Sequence, residues 1–328
     1  STQGYSSAAS DVYKRQNLNR MKKVIFMAVL AAGVLSSCNQ ESEESPIQEQ
    51  TLKITTSVSN IESRAGFIEK QDFVDNDEMG IFMYKSTGWG DAYPRFSAQN
   101  NKSTRTSSGW KLANDIYLLS DKASIWAYYP YNQNITDGTK IPVPISSTNH
   151  VDYMWGKSTN EVSVIETGAI IPMYHALSQL VIRLKVSPEY HNDGNLTSAK
   201  LKCSKSKFAT TGTMNINDNG KITFAPTSTE LSWAPNTTVP AQGSAAVDFS
   251  AAVYPMTISS NEVTLEVVID GATYNYSIPE IEWTAGKRFI YSITMQSNSA
   301  EIGGEDGNTV TIEPWTSTEN DITLVPVK

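Results

Sequence analysis

LSQLVIRLKV, residues 177–186, is the stretch on which the fold class turns. Its length admits a helix. Its β-branched content and the alternation of Leu180, Ile182 and Leu184 favour a strand. Read as a strand, it leaves the chain without any long Leu/Ala/Glu/Lys helical pattern, while Ser, Thr, Asn and aromatic residues are plentiful, so the expectation is an all-β protein. Downstream, Thr213-Met214-Asn215-Ile216-Asn217-Asp218-Asn219-Gly220-Lys221-Ile222-Thr223-Phe224 carries the clearest local signal. Two short alternating runs flank Asn219-Gly220, whose positive φ suits a tight hairpin turn. Val263–Ile269, Thr273–Ile278, Arg288–Met295 and Val310–Ile312 complete an antiparallel set that begins near Ile170.

Upstream, TLKITTSVSNI (51–61) alternates strictly. Leu52, Ile54, Thr56 and Val58 point one way, Lys53, Thr55, Ser57 and Ser59 the other, which describes a first strand with one buried face. It runs into Glu62-Ser63-Arg64-Ala65-Gly66, a polar stretch expected to be exposed and open to proteases. Further strands are expected at Met79–Tyr84, Trp110–Leu112, Ile116–Leu119, Ala123–Tyr129, Ile141–Ile145 and Tyr153–Trp155, with Ser97–Gly109 as a long hairpin loop. The architecture is two tandem antiparallel β-sandwiches meeting near residues 160–168, the first spanning 51–164 and the second 165–328.

Residues 21–37 have the form of a lipoprotein signal peptide: Lys22 and Lys23, an apolar run from Val24 to Leu35, then Leu35-Ser36-Ser37 directly before Cys38. Cys38 is the expected lipidation site. A secretory signal with an incidental cysteine is the plainer alternative. The apolar run is short of the ~20 residues a spanning helix needs. Residues 1–20 precede that signal without a start methionine and are read as an upstream artefact; residues 38–50, with Glu41, Glu43 and Glu44, form an acidic tether.

The chain has 26 basic and 34 acidic residues. Without residues 1–37, 21 basic and 33 acidic residues remain, a formal charge of −12 with no basic run, which argues against nucleic acid as a partner. Only Cys203 accompanies Cys38, so an exported protein of this kind relies on its core rather than on a disulfide.

Several segments, taken together and in order, resemble the fimbrillin-like lipoproteins, the type V pilus subunits of Bacteroides-type bacteria. They are Ser63-Arg64-Ala65, Met79-Gly80-Ile81-Phe82, Ile125-Trp126-Ala127-Tyr128-Tyr129-Pro130-Tyr131, Asp152-Tyr153-Met154-Trp155-Gly156, His175-Ala176-Leu177-Ser178, Gly212-Thr213-Met214, Tyr254-Pro255, Trp283-Thr284-Ala285-Gly286-Lys287 and Ile312-Glu313-Pro314-Trp315. The acidic residues after Cys38 resemble the motif of lipoproteins sent to the cell surface in the same bacteria. The resemblance implies a pair of transthyretin-like β-sandwiches and a mode of assembly. A lipidated precursor reaches the outer membrane and cell surface, and an arginine-specific protease cuts near the first strand. The strand bearing Leu52, Ile54, Thr56 and Val58 leaves, and a strand from another pilus subunit replaces it. Arg64 fits the cut position, being the only Arg or Lys between Lys53 and Lys70. Otherwise it is an ordinary loop residue. Asp321–Lys328 is a short donor strand at best, so a tip or accessory position is as credible as a stalk.

Trp126, Tyr128 and Trp283 are expected to pack in the core, the Tyr128–Tyr131 cluster to end a strand at a stiff corner, and His175 to be a satisfied, partly buried histidine. The chain contains no G-x-S-x-G, H-E-x-x-H or phosphate-loop motif, and neither Asp75–Ser86 nor Asn215–Pro226 completes a calcium loop. The expectation is therefore a non-enzymatic structural or adhesive pilus subunit without metal or cofactor. The alternative is a permanently anchored surface lipoprotein that binds glycans through exposed Trp and Tyr, for example Trp89, Trp110 or Trp155; a host or glycan receptor is among the expected partners.

Overall fold

The computed structural model describes residues 50–58, 72–94, 99–146, 151–186, 190, 192–238, 246–296, 299–301 and 311–314, the last two segments and residues 186 and 296 by backbone alone. Among the described residues the regular structure is almost wholly strand. In the first half these are β1 (Lys53–Val58), β2 (Glu78–Lys85), β3 (Asn101–Thr106), β4 (Gly109–Leu112), β5 (Ala123–Tyr129), β6 (Ile141–Pro144), β7 (Met154–Lys157) and β8 (Gly168–His175). Seven of them form one sheet in the order β1-β8-β7-β5-β2-β3-β4, and its two terminal strands, β1 and β4, come back into contact. Met79, Ile81, Met83, Ile125, Ala127, Ile171 and Met173 fill the core that this curled sheet encloses.

The second half contains β9 (Ser178–Val186), β10 (Asn195–Cys203), β11 (Thr211–Asn215), β12 (Lys221–Thr223), β13 (Glu230–Trp233), β14 (Val247–Val253), β15 (Val263–Ile269), β16 (Ala272–Ser277) and β17 (Lys287–Gln296). One sheet runs β14-β9-β17, with 299–301 and 311–314 along the far edge of β17; another runs β13-β10-β15-β16. Leu180, Ile182, Leu184, Phe289, Tyr291 and Ile293 of the first meet Leu196, Leu201, Leu265, Val267 and Ile269 of the second. Within the stretch 177–186, Ser178–Val186 is thus a central strand.

Two pairings depart from the antiparallel expectation: β1 lies parallel to β8, and β9 parallel to β17. Parallel neighbours need a long crossover, and here much of each half intervenes between the partners. The pairing of β8 with β1 and β7 carries the first sheet past the 164/165 division to His175, so the change of sheet falls at Ala176–Leu177. A further correction concerns Ser97–Gly109, expected as a loop. Asn101–Thr106 within it is β3, paired with both β2 and β4. Its buried positions are Asn101 and Ser103, so the alternation is present but carried by polar side chains.

The turn around Asn219-Gly220 does have positive φ at both residues (49° and 66°), but the hairpin is not tight. β11 and β12 separate at the Asn215–Lys221 pair, and Ile216–Asp218 form a 3-10 turn between them. Burial of Ile216 explains the longer path, and the Asn215 side chain accepts from the backbone N–H groups of Asn217 and Asp218.

The described residues form one compact unit. β6 from the first half pairs with β11 from the second, and Phe82, Trp126, Tyr128, Val143, Leu177, Met214 and Tyr254 share a third core across the two.

Candidate functional site

The site to which the sequence points is the first strand and its seat. β1 occupies a sheet edge by hydrogen bonding, with its whole length registered on β8: Ile54 opposite Ala169, Thr56 opposite Ile171, Val58 opposite Met173. Just before it, Gln50–Thr51 pairs with Tyr117–Leu118, and the N–H groups of Leu52 and Lys53 donate to the carbonyls of Ile116 and Thr167, both at 2.9 Å. Leu52, Ile54 and Val58 are buried in the first-half core, whereas Lys53, Thr55 and Ser57 face solvent. The expected alternation is therefore present.

Thr56 differs from its three companions. It is half-buried, and its Oγ1 accepts a hydrogen bond from Trp110 Nε1 at 2.8 Å, across the seam between β1 and β4. Trp110 meets Phe73 edge-on at 5.1 Å between ring centroids, and Phe73 in turn meets Tyr129 at 5.4 Å. Burial pushes the Tyr129 hydroxyl well above its usual range, reinforced by the nearby Asp77 carboxylate to which it donates at 3.2 Å. On the far edge of β8, the Asn160 side chain donates to Gly168 O (2.7 Å) and accepts from Ile170 N (3.0 Å), so the strand beneath β1 is held independently of β1. Trp110 acts across a long sequence separation, which is why no local pattern singles it out.

Cys38, Arg64, the signal peptide, the acidic tether up to residue 49 and the stretch Asp321–Lys328 lie outside the described residues. His175 is buried with its Nδ1 2.8 Å from Asp152 Oδ1, a structural pair inside the protein. Asp77 Oδ2 accepts from Val74 N at 2.8 Å, which makes the Asp75–Asn76 segment a turn; among the described residues no three His, Cys, Asp or Glu side chains converge on a metal-sized site. Trp126, Tyr128 and Trp283 are core residues.

The expectation of exposed tryptophans is corrected. Trp89 packs on Phe82, Tyr84 and Trp126, Trp110 serves the seam, and Trp155 lies against Tyr174 at 5.0 Å; all three are half-buried. Each aromatic ring gains more by covering apolar neighbours than by standing free in water.

Together these features define a class, an all-β protein whose own N-terminal strand completes a sheet edge and caps a core. The fimbrillin-like family model matches residues 63–315, more than half of the sequence, and the chain belongs to that family. It is 21% identical over 308 residues to a proposed fimbrium subunit, Fim1C, of Bacteroides uniformis, covering 90% of this chain and 95% of that one. Among solved structures it resembles a proposed cell adhesion protein from Bacteroides ovatus (TM-score 0.62, 18% identity, 83% of this chain and 99% of that one). A second, from Bacteroides uniformis, gives TM-score 0.58 at 19% identity, covering 82% and 99%. At these identities the likeness to the solved structures is one of fold.

Proposed function

We propose that this protein is a structural or adhesive subunit of a cell-surface pilus, made as a lipoprotein precursor and assembled by strand exchange. Lipid on Cys38 tethers the precursor to the outer membrane. An arginine-specific protease cuts after Arg64, lipid and first strand leave together, and a strand of another subunit enters the vacated seat. The observation that carries this reading is the position of β1. It is an edge strand on β8, yet it buries Leu52, Ile54 and Val58 in the core. Large apolar side chains contribute about 1.5–3 kcal/mol each on burial. A seat that has lost them binds another strand of the same pattern through ladder hydrogen bonds and apolar pockets. Family membership and the fimbrial name of the Bacteroides uniformis relative support the same reading.

The test is digestion of the lipidated chain with an arginine-specific protease. The expected product begins at Ala65, is released from membranes, and takes up a labelled peptide of residues 51–59 with a rise in melting temperature. An intact bond after Arg64, or a cut chain that ignores the peptide, would sink the proposal.

A further inference from the structure

Resting on the reading of the first strand as exchangeable, we infer that Trp110 selects the incoming strand, admitting one that brings a hydroxyl to the position of Thr56. The indole N–H is a donor with no acceptor role. It is directed at Thr56 Oγ1 at 2.8 Å, and its ring is set by the edge contact with buried Phe73. A strand that brings an aliphatic side chain to this position leaves that donor unpaired in a half-buried seam, whereas a hydroxyl satisfies it. The other three inward positions are buried among apolar side chains and reject polar ones. The seat therefore reads the pattern apolar-x-apolar-x-hydroxyl-x-apolar in the direction of β1.

The chain's own residues 315–328, WTSTENDITLVPVK, do not supply it. Every register that sets a Thr or Ser against Trp110, in either strand direction, brings a polar or charged residue to at least one apolar position. The nearest fit reverses the strand and uses Thr323, Val325 and Val327. It places Asp321 where Val58 lies, and a carboxylate in an apolar pocket is strongly disfavoured.

The experiment uses the full chain cut by the protease and three labelled peptides: residues 51–59, the same peptide with Thr56→Val, and residues 321–328. The Thr56→Val peptide is expected to bind about tenfold more weakly, the effect of one unpaired donor. The 321–328 peptide should fail to compete, and Asp321→Val in it should restore competition. A Trp110→Phe chain should take the Thr and Val peptides alike. Equal affinity of the unaltered groove for both first-strand peptides would overturn the role of Trp110. Tight binding of 321–328 would overturn the pattern assigned to the seat. A groove that binds no peptide at all would bring down the exchange itself. In the uncut chain, a Thr56→Val/Trp110→Phe double-mutant cycle on urea unfolding gives a reading independent of cleavage; coupling is expected, and strict additivity would count against the pairing.

Discussion

Single residues show where backbone conformation and burial meet. Gly220 has φ +66°, and a Cβ there would lie 1.9 Å from Trp155 Cδ1, so both backbone and space demand glycine. Gly220→Val is expected to cost about 2–4 kcal/mol in urea unfolding, combining strain at positive φ with displacement of the indole. Tyr128 illustrates a different dependence. Its hydroxyl donates to Asn100 Oδ1 at 2.7 Å, and burial pushes its pKa up to about 12. An unfolded tyrosine titrates near 10, so between about pH 10 and 12 the unfolded chain loses a proton that the native state keeps. Stability should be unaffected by this group below pH 10 and fall as pH rises toward 12. Tyr129, Tyr190, Tyr254 and Tyr291 are shifted upward by burial as well and add to the slope. Denaturation midpoints from pH 9 upward would show it, and Tyr128→Phe should make the fall shallower. An identical slope in the variant would remove Tyr128 from the account.

At the scale of elements, edge strands differ in what holds them. β1 carries its hold in three apolar side chains, so Ile54→Ala should lower stability by about 2–4 kcal/mol, as expected for a truncated core residue. A loss under half a kcal/mol would mean that β1 is peripheral. β3 is the contrary case, a strand whose inward side is polar. Ser103 is fully buried, and its Oγ meets no hydrogen-bond partner among the described residues, so Ser103→Ala is expected to be neutral or slightly stabilising. Calorimetric melting of the variant would reveal a drop if that hydroxyl matters. The strands 178–186, 123–129 and 263–269 were legible because β-branched and aromatic residues are concentrated there. β3 was hidden because Asn and Ser take the inward places, and hydrophobic periodicity cannot report polar burial.

For the molecule as a whole, the two halves are joined through Tyr254. Its hydroxyl donates to Val143 O, Phe224 stacks on its ring at 4.8 Å, and a Cβ at Gly212 would approach the ring to 2.9 Å. Removing the ring takes away the centre of the shared core while leaving each half's own core intact. Tyr254→Ala is therefore expected to split unfolding into two calorimetric transitions where the unaltered protein gives one. Persistence of a single transition would show that the β6–β11 pairing alone couples the halves.

The amino-acid sequence by itself determined the all-β class, the buried and exposed faces of the first strand, most strand positions and the residues by which the family is recognised. Those properties are local, because side chains alternate along a strand with a period of two whatever the strand pairs with. Only the tertiary structure decided that β1 lies parallel to β8, that the first sheet continues to His175, and that Trp110 meets Thr56 across the seam. Pairing direction and contacts between distant strands depend on how the crossovers close. Alternation within one strand carries no information about that.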